Sequence, residues 1–330
     1  MLRRKVAVLL MVCAAVGSGC SSGQPSDELM VTDKPVAAVA ATSPPAATAP
    51  AGAVTPLSDP VTAIAYDQTT STLAVAVEDS VRLYQLGDTL TAGKRVDLPN
   101  VTSLTVEDGA VLATGANQVT RIALPGAAVD ETATFRGEPV STATLDDRTL
   151  VAVRDERAVA VVDGDKIQRM ITGDLMSADQ VLSTGKGAVV LDRLRNAVFE
   201  LDVPGATVSQ GLRAGQGATN AVTDRFGRVL VTDTRGGALL AFSLDPLLLR
   251  QNYPVEGAPY GIAYDRKRDL AWVTLTATNE VVGYDVAGEE PKEKYRFPTV
   301  SQPNTVAVDP STGRVVVASG TGDGIQVIER

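Results

Sequence analysis

The chain has 330 residues, no histidine, and two cysteines, Cys13 and Cys20. Its side-chain chemistry must therefore come from carboxylates, amides, hydroxyls, arginine and lysine. The absence of histidine excludes Ser-His-Asp and Cys-His triads, histidine-ligated zinc and histidine general bases. Between residues 24 and 330 no G-x-S-x-G stretch occurs. Ser183-Thr184-Gly185-Lys186-Gly187 lacks the earlier glycine of a phosphate loop, and a strand rather than a helix follows it. Gly215-Gln216-Gly217 lacks the third glycine of a dinucleotide loop. Asp163-Gly164-Asp165 does not continue the calcium-loop spacing and reads as a hairpin tip.

Two groups of polar residues remain. Asp67, Asp108, Asp147, Asp224, Asp265 and Asp309 each close a short apolar run. Such a recurrence reads as turn chemistry, because aspartate accepts local backbone hydrogen bonds and tolerates turn geometry. The second group varies along the chain: Glu78-Asp79, Asn117, Arg154 to Arg157, Asp192 to Asn196, Asp233 to Arg235, Thr276 to Asn279 and Asp323. With Asn100, Asn220, Tyr260 and Asn304 from the segments that enter each copy, these define a candidate binding face. Its named members are Asn100, Arg154, Asp192, Arg193, Asn220, Asp233, Arg235, Tyr260 and Asn304. Arginine and aspartate on one rim can grip an anionic or polar ligand through charge-assisted bonds. The plainer reading is a solvated rim of mutually paired charges, which contributes little. The oxygens of Asn220, Asn304, Asp192 and Asp233 are also the right type for one divalent cation.

The elements that must position these residues are short and repetitive. Residues 257–286 break into an apolar run (260–264), a charged turn (265–269), an alternating run (270–275), a polar turn (276–279) and a third run (280–286). Runs of five or six residues rich in Val, Tyr and Thr, separated by Asp, Asn and Gly, signal strands and hairpins. Related copies lie at 61–86, 101–124, 140–162, 178–201, 218–244 and 303–328, spaced by about 40 residues, the period of a four-stranded propeller blade. Fourth strands fall between copies, at 94–98, 132–136, 166–171, 206–212, 249–255 and 294–300. The expected fold is all-β: a seven-bladed β-propeller of four-stranded antiparallel blades. The last copy ends at Arg330 after its third strand, so residues around 53–57 are expected to supply its fourth and hide the open edge. Trp272, the single tryptophan, sits in a middle strand and is expected to pack between blades.

The recurring pattern of apolar run, Asp, polar turn, Gly or Arg, then V-x-V, as in 221–232, 262–274 and 306–318, resembles the YVTN/NHL-type seven-bladed β-propellers, over about residues 60–330. The resemblance implies the fold and leaves the activity open, since such rings host binding proteins, scaffolds and unrelated enzymes. Streptogramin lyases share this propeller type and rely on histidine, so a chain without histidine is not expected to carry that activity.

Arg3, Arg4 and Lys5 precede a mostly apolar run from Val6 to Val16, the layout of a secretory signal peptide. Its end, Gly17-Ser18-Gly19-Cys20-Ser21, resembles a bacterial lipobox, although Gly17 stands where a branched apolar residue is usual. The expected domains are a signal peptide (1–19), a lipidated, Ala/Pro-rich disordered tether (20–52) and the propeller (53–330). The lipobox resemblance implies Cys20 as the lipidation site, with an acyl chain (palmitate) expected to anchor the protein to the cell membrane, facing outside the cytoplasm. The tether is read as disordered because it has few large apolar residues and no periodicity.

The charge of −9 becomes −12 once Arg3, Arg4 and Lys5 are removed. That argues against nucleic acid and against resting on anionic lipid. With 4% aromatic residues, stacking platforms are not expected. The leading expectation is a non-catalytic, lipid-anchored envelope protein of the kind found among lipoproteins of high-GC actinobacteria. It would be a monomer without cofactor, binding a protein or envelope polymer through its variable face. The alternative is a divalent-metal-dependent lactonase or hydrolase with an Asp/Asn-lined channel site.

Overall fold

The computed structural model describes Leu29, Thr32 and residues 34–107 and 109–330. It contains seven four-stranded antiparallel sheets. Blades 1 to 6 occupy residues 63–97, 101–134, 139–171, 180–213, 218–254 and 259–298. In each, four consecutive strands pair in chain order. Blade 7 takes three strands from 303–328 and its fourth from Ala53–Thr55, which pairs antiparallel with Ile325 to Val327. The N-terminal closure expected from the sequence is thus present. It satisfies an edge that would otherwise expose a row of backbone donors and acceptors.

Residue type tracks position within a blade. The second strands are buried on both faces, as in Leu270–Leu275 (LAWVTL) and Thr72–Val77 (TLAVAV). The fourth strands, such as Lys166–Ile171 (KIQRMI), are largely exposed and form the outer wall. Both faces of a middle strand meet a neighbouring blade, so it tolerates no alternation of polar residues. The apolar residues collect into seven clusters, each filling one junction between adjacent blades. The core is therefore a ring of seven wedges rather than one centre. Trp272 is fully buried in the wedge between blades 6 and 7. It stacks at 5.8 Å on Tyr295 and 6.2 Å on Phe297. Gly283 lies opposite because a β-carbon there would come within 2.9 Å of the indole.

In four blades the turns between first and second strands behave as the recurring aspartates predict, while no such bond is described for Asp147. Asp67 accepts from the Thr70 amide at 2.9 Å and the Thr70 hydroxyl at 2.6 Å. Asp224 accepts from the Phe226 and Arg228 amides, Asp265 from the Lys267 amide, and Asp309 from the Ser311 amide. Asp108 lies outside the described residues. The inner strands are tied to one another by side chains reaching the next blade's backbone. Thr62 donates to Val101 O at 2.8 Å, Gln180 to Ala221 O at 2.8 Å, and Asn220 to Tyr260 O at 3.1 Å.

A candidate binding face and the strap across it

The turns between second and third strands, with the segments leading into each first strand, form one face of the ring. Several of these turns close on a residue in the left-handed region: Arg157 (φ 53°), Asn196 (φ 50°), Gly237 (φ 66°) and Asn279 (φ 54°). That geometry is common in short hairpin loops. Blades 3 to 6 thus share a four-residue turn while their side chains differ.

The candidate residues do not converge on one point. Asp192 is fully buried; it accepts from the Met176 amide (2.7 Å), the Ser177 hydroxyl (2.9 Å) and the Arg195 amide (2.9 Å). Asp233 does the equivalent work in blade 5, accepting from the amides of Gln216 (2.9 Å), Gly217 (2.7 Å) and Gly236 (2.9 Å). Both carboxylates pin the segment entering the blade against the hairpin turn. Asn220 is a stitch between inner strands, and Tyr260 supplies the carbonyl that receives it. Asn304 accepts from Gln302 at 2.9 Å. Asn100 is exposed in left-handed backbone (φ 59°), its amide bonded to Glu78 O. Of the four residues considered for a cation, Asp192, Asp233 and Asn304 have oxygens engaged in local bonds in blades 4, 5 and 7, and Asn220, in blade 5, donates through its amide nitrogen. Among the described residues, no group of three or more Asp, Glu or Cys side chains could hold a metal ion.

The arginines divide into two kinds. Arg154 is held by Glu138 at 3.1 Å and by Asp179 at 3.0 Å. Arg193 and Arg235 instead donate to carbonyls of the N-terminal segment, Arg193 to Ala38 O and Arg235 to Val36 O. From Lys34 onward, this segment is laid over the face as an extended strap, unlike the free tether expected from its composition. The Ala41 amide donates to Thr276 Oγ1 (3.1 Å) and the Ser43 amide to Gln302 Oε1 (3.0 Å). Gln302 Nε2 donates to Ala41 O (2.9 Å), and Asn279 Nδ2 to Pro44 O (2.8 Å). Ser43 Oγ donates to Thr276 O at 2.6 Å and accepts from the Gln302 amide at 3.0 Å. Ala38 is only 4% exposed. Any β-carbon on Gly217 would come within 2.9 Å of the Ala38 methyl. The strap ends where the Ala51 amide bonds to Pro298 O (3.0 Å) and Gln326 reaches Ala51 O (2.6 Å), just before the closing strand.

Composition misled here for a physical reason. Strap docking buries little apolar area; it relies on backbone groups, which residue type does not advertise. The receiving residues Thr276, Asn279 and Gln302 are buried polar side chains. The first two lie in a turn the sequence singled out. Gln302, which makes more strap contacts than any other residue described, and Asp179, which holds Arg154, carry no sequence signal.

The channel behind this face opens toward the other side in a cavity of about 780 Å³, walled by Ser, Thr, Ala and Val of the inner strands, with Gln180 in the wall and Asp224, Tyr264 and Arg266 toward its end. Burial, reinforced by the hydrogen bond to Asp269 at 2.7 Å, raises the Tyr264 phenol above its usual range, so it remains a protonated donor at neutral pH.

No protein-family model matches the sequence, and no curated protein does. Among solved structures, a chain of the Kuenenia stuttgartiensis hydrazine synthase superposes with a TM-score of 0.68 at 15% identity, covering 84% of this chain and 97% of that one. A streptogramin B lyase gives 0.69 at 10% identity, covering 84% and 96%. A chain of the mitotic checkpoint complex gives 0.71 at 10% identity, covering 89% and 99%. At these identities the likeness is one of fold. The chain is a seven-bladed β-propeller.

Proposed function

We propose that this propeller, of the YVTN/NHL type, is an actinobacterial-type lipoprotein of the cell envelope that binds a protein or envelope polymer through its variable face and catalyses no reaction. The observation that carries this reading is the occupied face: Arg193, Arg235, Thr276, Asn279 and Gln302 already hold an extended polypeptide. The metal-dependent hydrolase reading has less support, because Asp192 and Asp233 spend their oxygens on backbone amides. Cys20, the proposed lipidation site, and the signal peptide lie outside the described residues. If Cys20 is acylated, the chain from it to Leu29, which meets Arg213, spans at most about 30 Å when fully extended. The strap-bearing face is then held toward the membrane instead of turning freely.

The test is site-specific photocrosslinking in intact cells, with the crosslinker at Arg154 on the open part of the face or at Phe226 on the opposite face. Binding through the variable face predicts discrete adducts from position 154 and none from 226. The reverse pattern, or none from either, contradicts it. Labelling with an alkyne palmitate analogue, lost in Cys20→Ser, tests the anchor. A midpoint shift with Ca²⁺, Mg²⁺ or Mn²⁺, reversed by EDTA, would favour the hydrolase; a cation at 100 times its Kd stabilises by about 2.7 kcal/mol.

A further inference from the structure

The strap is held mostly through its main chain. Carbonyls of Val36, Ala38, Ala41 and Pro44 accept from Arg235, Arg193, Gln302 and Asn279, and amides of Ala41 and Ser43 donate to Thr276 and Gln302. Two side chains are read directly: Ala38, buried against Gly217, and Ser43, whose hydroxyl both donates and accepts. Val36 and Val39 are 71% and 72% exposed, so the face does not read them. Prolines at 35, 44, 45 and 50 favour an extended backbone with no internal hydrogen bonds, whose polar groups stay available to a receptor.

From this pattern we infer that the face of blades 4 to 7 is a receptor groove for an extended, Ala/Pro/Ser-rich segment of a partner protein, with a small residue followed five positions later by Ser-Pro, and that the strap is its intramolecular occupant and competitor. The inference rests on the reading of this face as the binding face. The strap is covalently delivered, so its effective concentration at the groove is high and modest contacts suffice to seat it. For the same reason a second copy's strap gains nothing by replacing it. A partner segment gains by extending onto the neighbouring blades, which the strap leaves uncovered. Binding is therefore gated: the partner's apparent affinity falls by the fraction of time the groove is filled.

The probe is a fluorescein-labelled peptide of residues 34–50, titrated by polarisation into the full mature chain carrying Cys20→Ser. Two release variants of that chain are compared with it. Ala38→Arg sets a guanidinium against Gly217, and Ser43→Pro removes the amide that donates to Gln302. Both leave every residue of the ring unchanged, and their far-UV spectra and unfolding midpoints confirm folding. We expect the peptide to bind both release variants at least tenfold more tightly than the parent. Adding Gln302→Ala should reverse most of the gain. Peptides with Val36→Ala or Val39→Ala should bind within about threefold of the original, and a peptide with Ala38→Arg should not bind.

Equal binding to parent and release variants would overturn the gating. Absence of binding to all, or tight binding of the Ala38→Arg peptide, would overturn the groove. Dimerisation of the parent by light scattering, lost in both release variants, would assign the groove to a second copy and contradict the partner segment. Crosslinks from position 154 in cells, if they persist while the peptide fails, would leave the binding face standing and remove only this inference.

Discussion

Blades 3 and 4 present nearly the same hairpin turn to the same side of the ring, and they use its arginine in opposite ways. In blade 3, Arg154 is paired with Glu138 and Asp179, and Asp155 receives the Glu138 amide at 2.7 Å near the surface. In blade 4, Asp192 is turned fully inward, ties down three donors, and leaves Arg193 to reach a strap carbonyl. Blade 5 repeats the second arrangement with Asp233 and Arg235. All hydrogen bonds described between the strap and the ring go to blades 4 to 7. An arginine followed by an acid is spent within the rim, whereas an inward aspartate followed by an arginine supplies a donor for something outside it.

The largest effect should come from the inward aspartates. Asp192→Ala strands buried donors, and loss of a network of this kind costs about 3 kcal/mol. Asp155→Ala, at an exposed site, should cost under about 1 kcal/mol; chemical denaturation of the two variants measures the difference. If they cost the same, the distinction between the turns fails.

Next is Gln302→Ala, which removes the side chain that both donates to Ala41 and accepts from Ser43. At about 0.5–1.5 kcal/mol per hydrogen bond, the strap's open population should rise roughly tenfold. Faster cleavage after Lys34 or within 36–50 by a nonspecific protease is the readout, with ring stability lowered by no more than about 1 kcal/mol through the lost bond to Asn304. A smaller effect is expected for Arg154→Ala, about 1 kcal/mol and only partly screened by salt: its pair with Glu138 is partly exposed, whereas Asp179 is nearly buried and keeps the Ser177 and Arg193 donors.

Acid should act on the opposite face. Burial alone would raise the Asp309 carboxyl, but hydrogen bonds from Thr312 and Ser311 together hold it below the ordinary range. A lowered native pKa contributes stability that is complete above the unfolded value, about 3.9, and is lost as pH falls through the native value. Asp309→Asn should therefore lessen the loss of stability below pH about 4. Strap protection, which involves no carboxylate in the bonds described, should change little over that range until the ring itself unfolds.

Much of the ring was legible in the sequence because its determinants are local and repeated. The period of about 40 residues, the Asp following the first run in six of the seven copies, and the last copy's third strand running to Arg330 led to seven blades closed by residues near Ala53. The fourth strand of blade 3 falls at 166–171 as read, and the others within a few residues. The candidate face was legible as a location but not in its wiring. Asp192 and Asn220 look alike as polar rim residues, yet one pins a loop and the other stitches inner strands. Orientation depends on contacts with segments far away in sequence. The strap was the least legible part. Ala, Pro, Ser and Thr specify no apolar face, and its partners Thr276 and Gln302 lie more than 230 residues away.

The most direct test of the central claim is hydrogen exchange on the mature chain, read at the amides of Ala41 and Ser43. Docking onto Thr276 and Gln302 predicts exchange slowed at least tenfold relative to a free peptide of residues 34–50, with the protection lost in Gln302→Ala. Exchange at the free-peptide rate in the parent protein would mean that the strap does not sit on the face, and the contrast between blades 3 and 4 would lose its functional meaning.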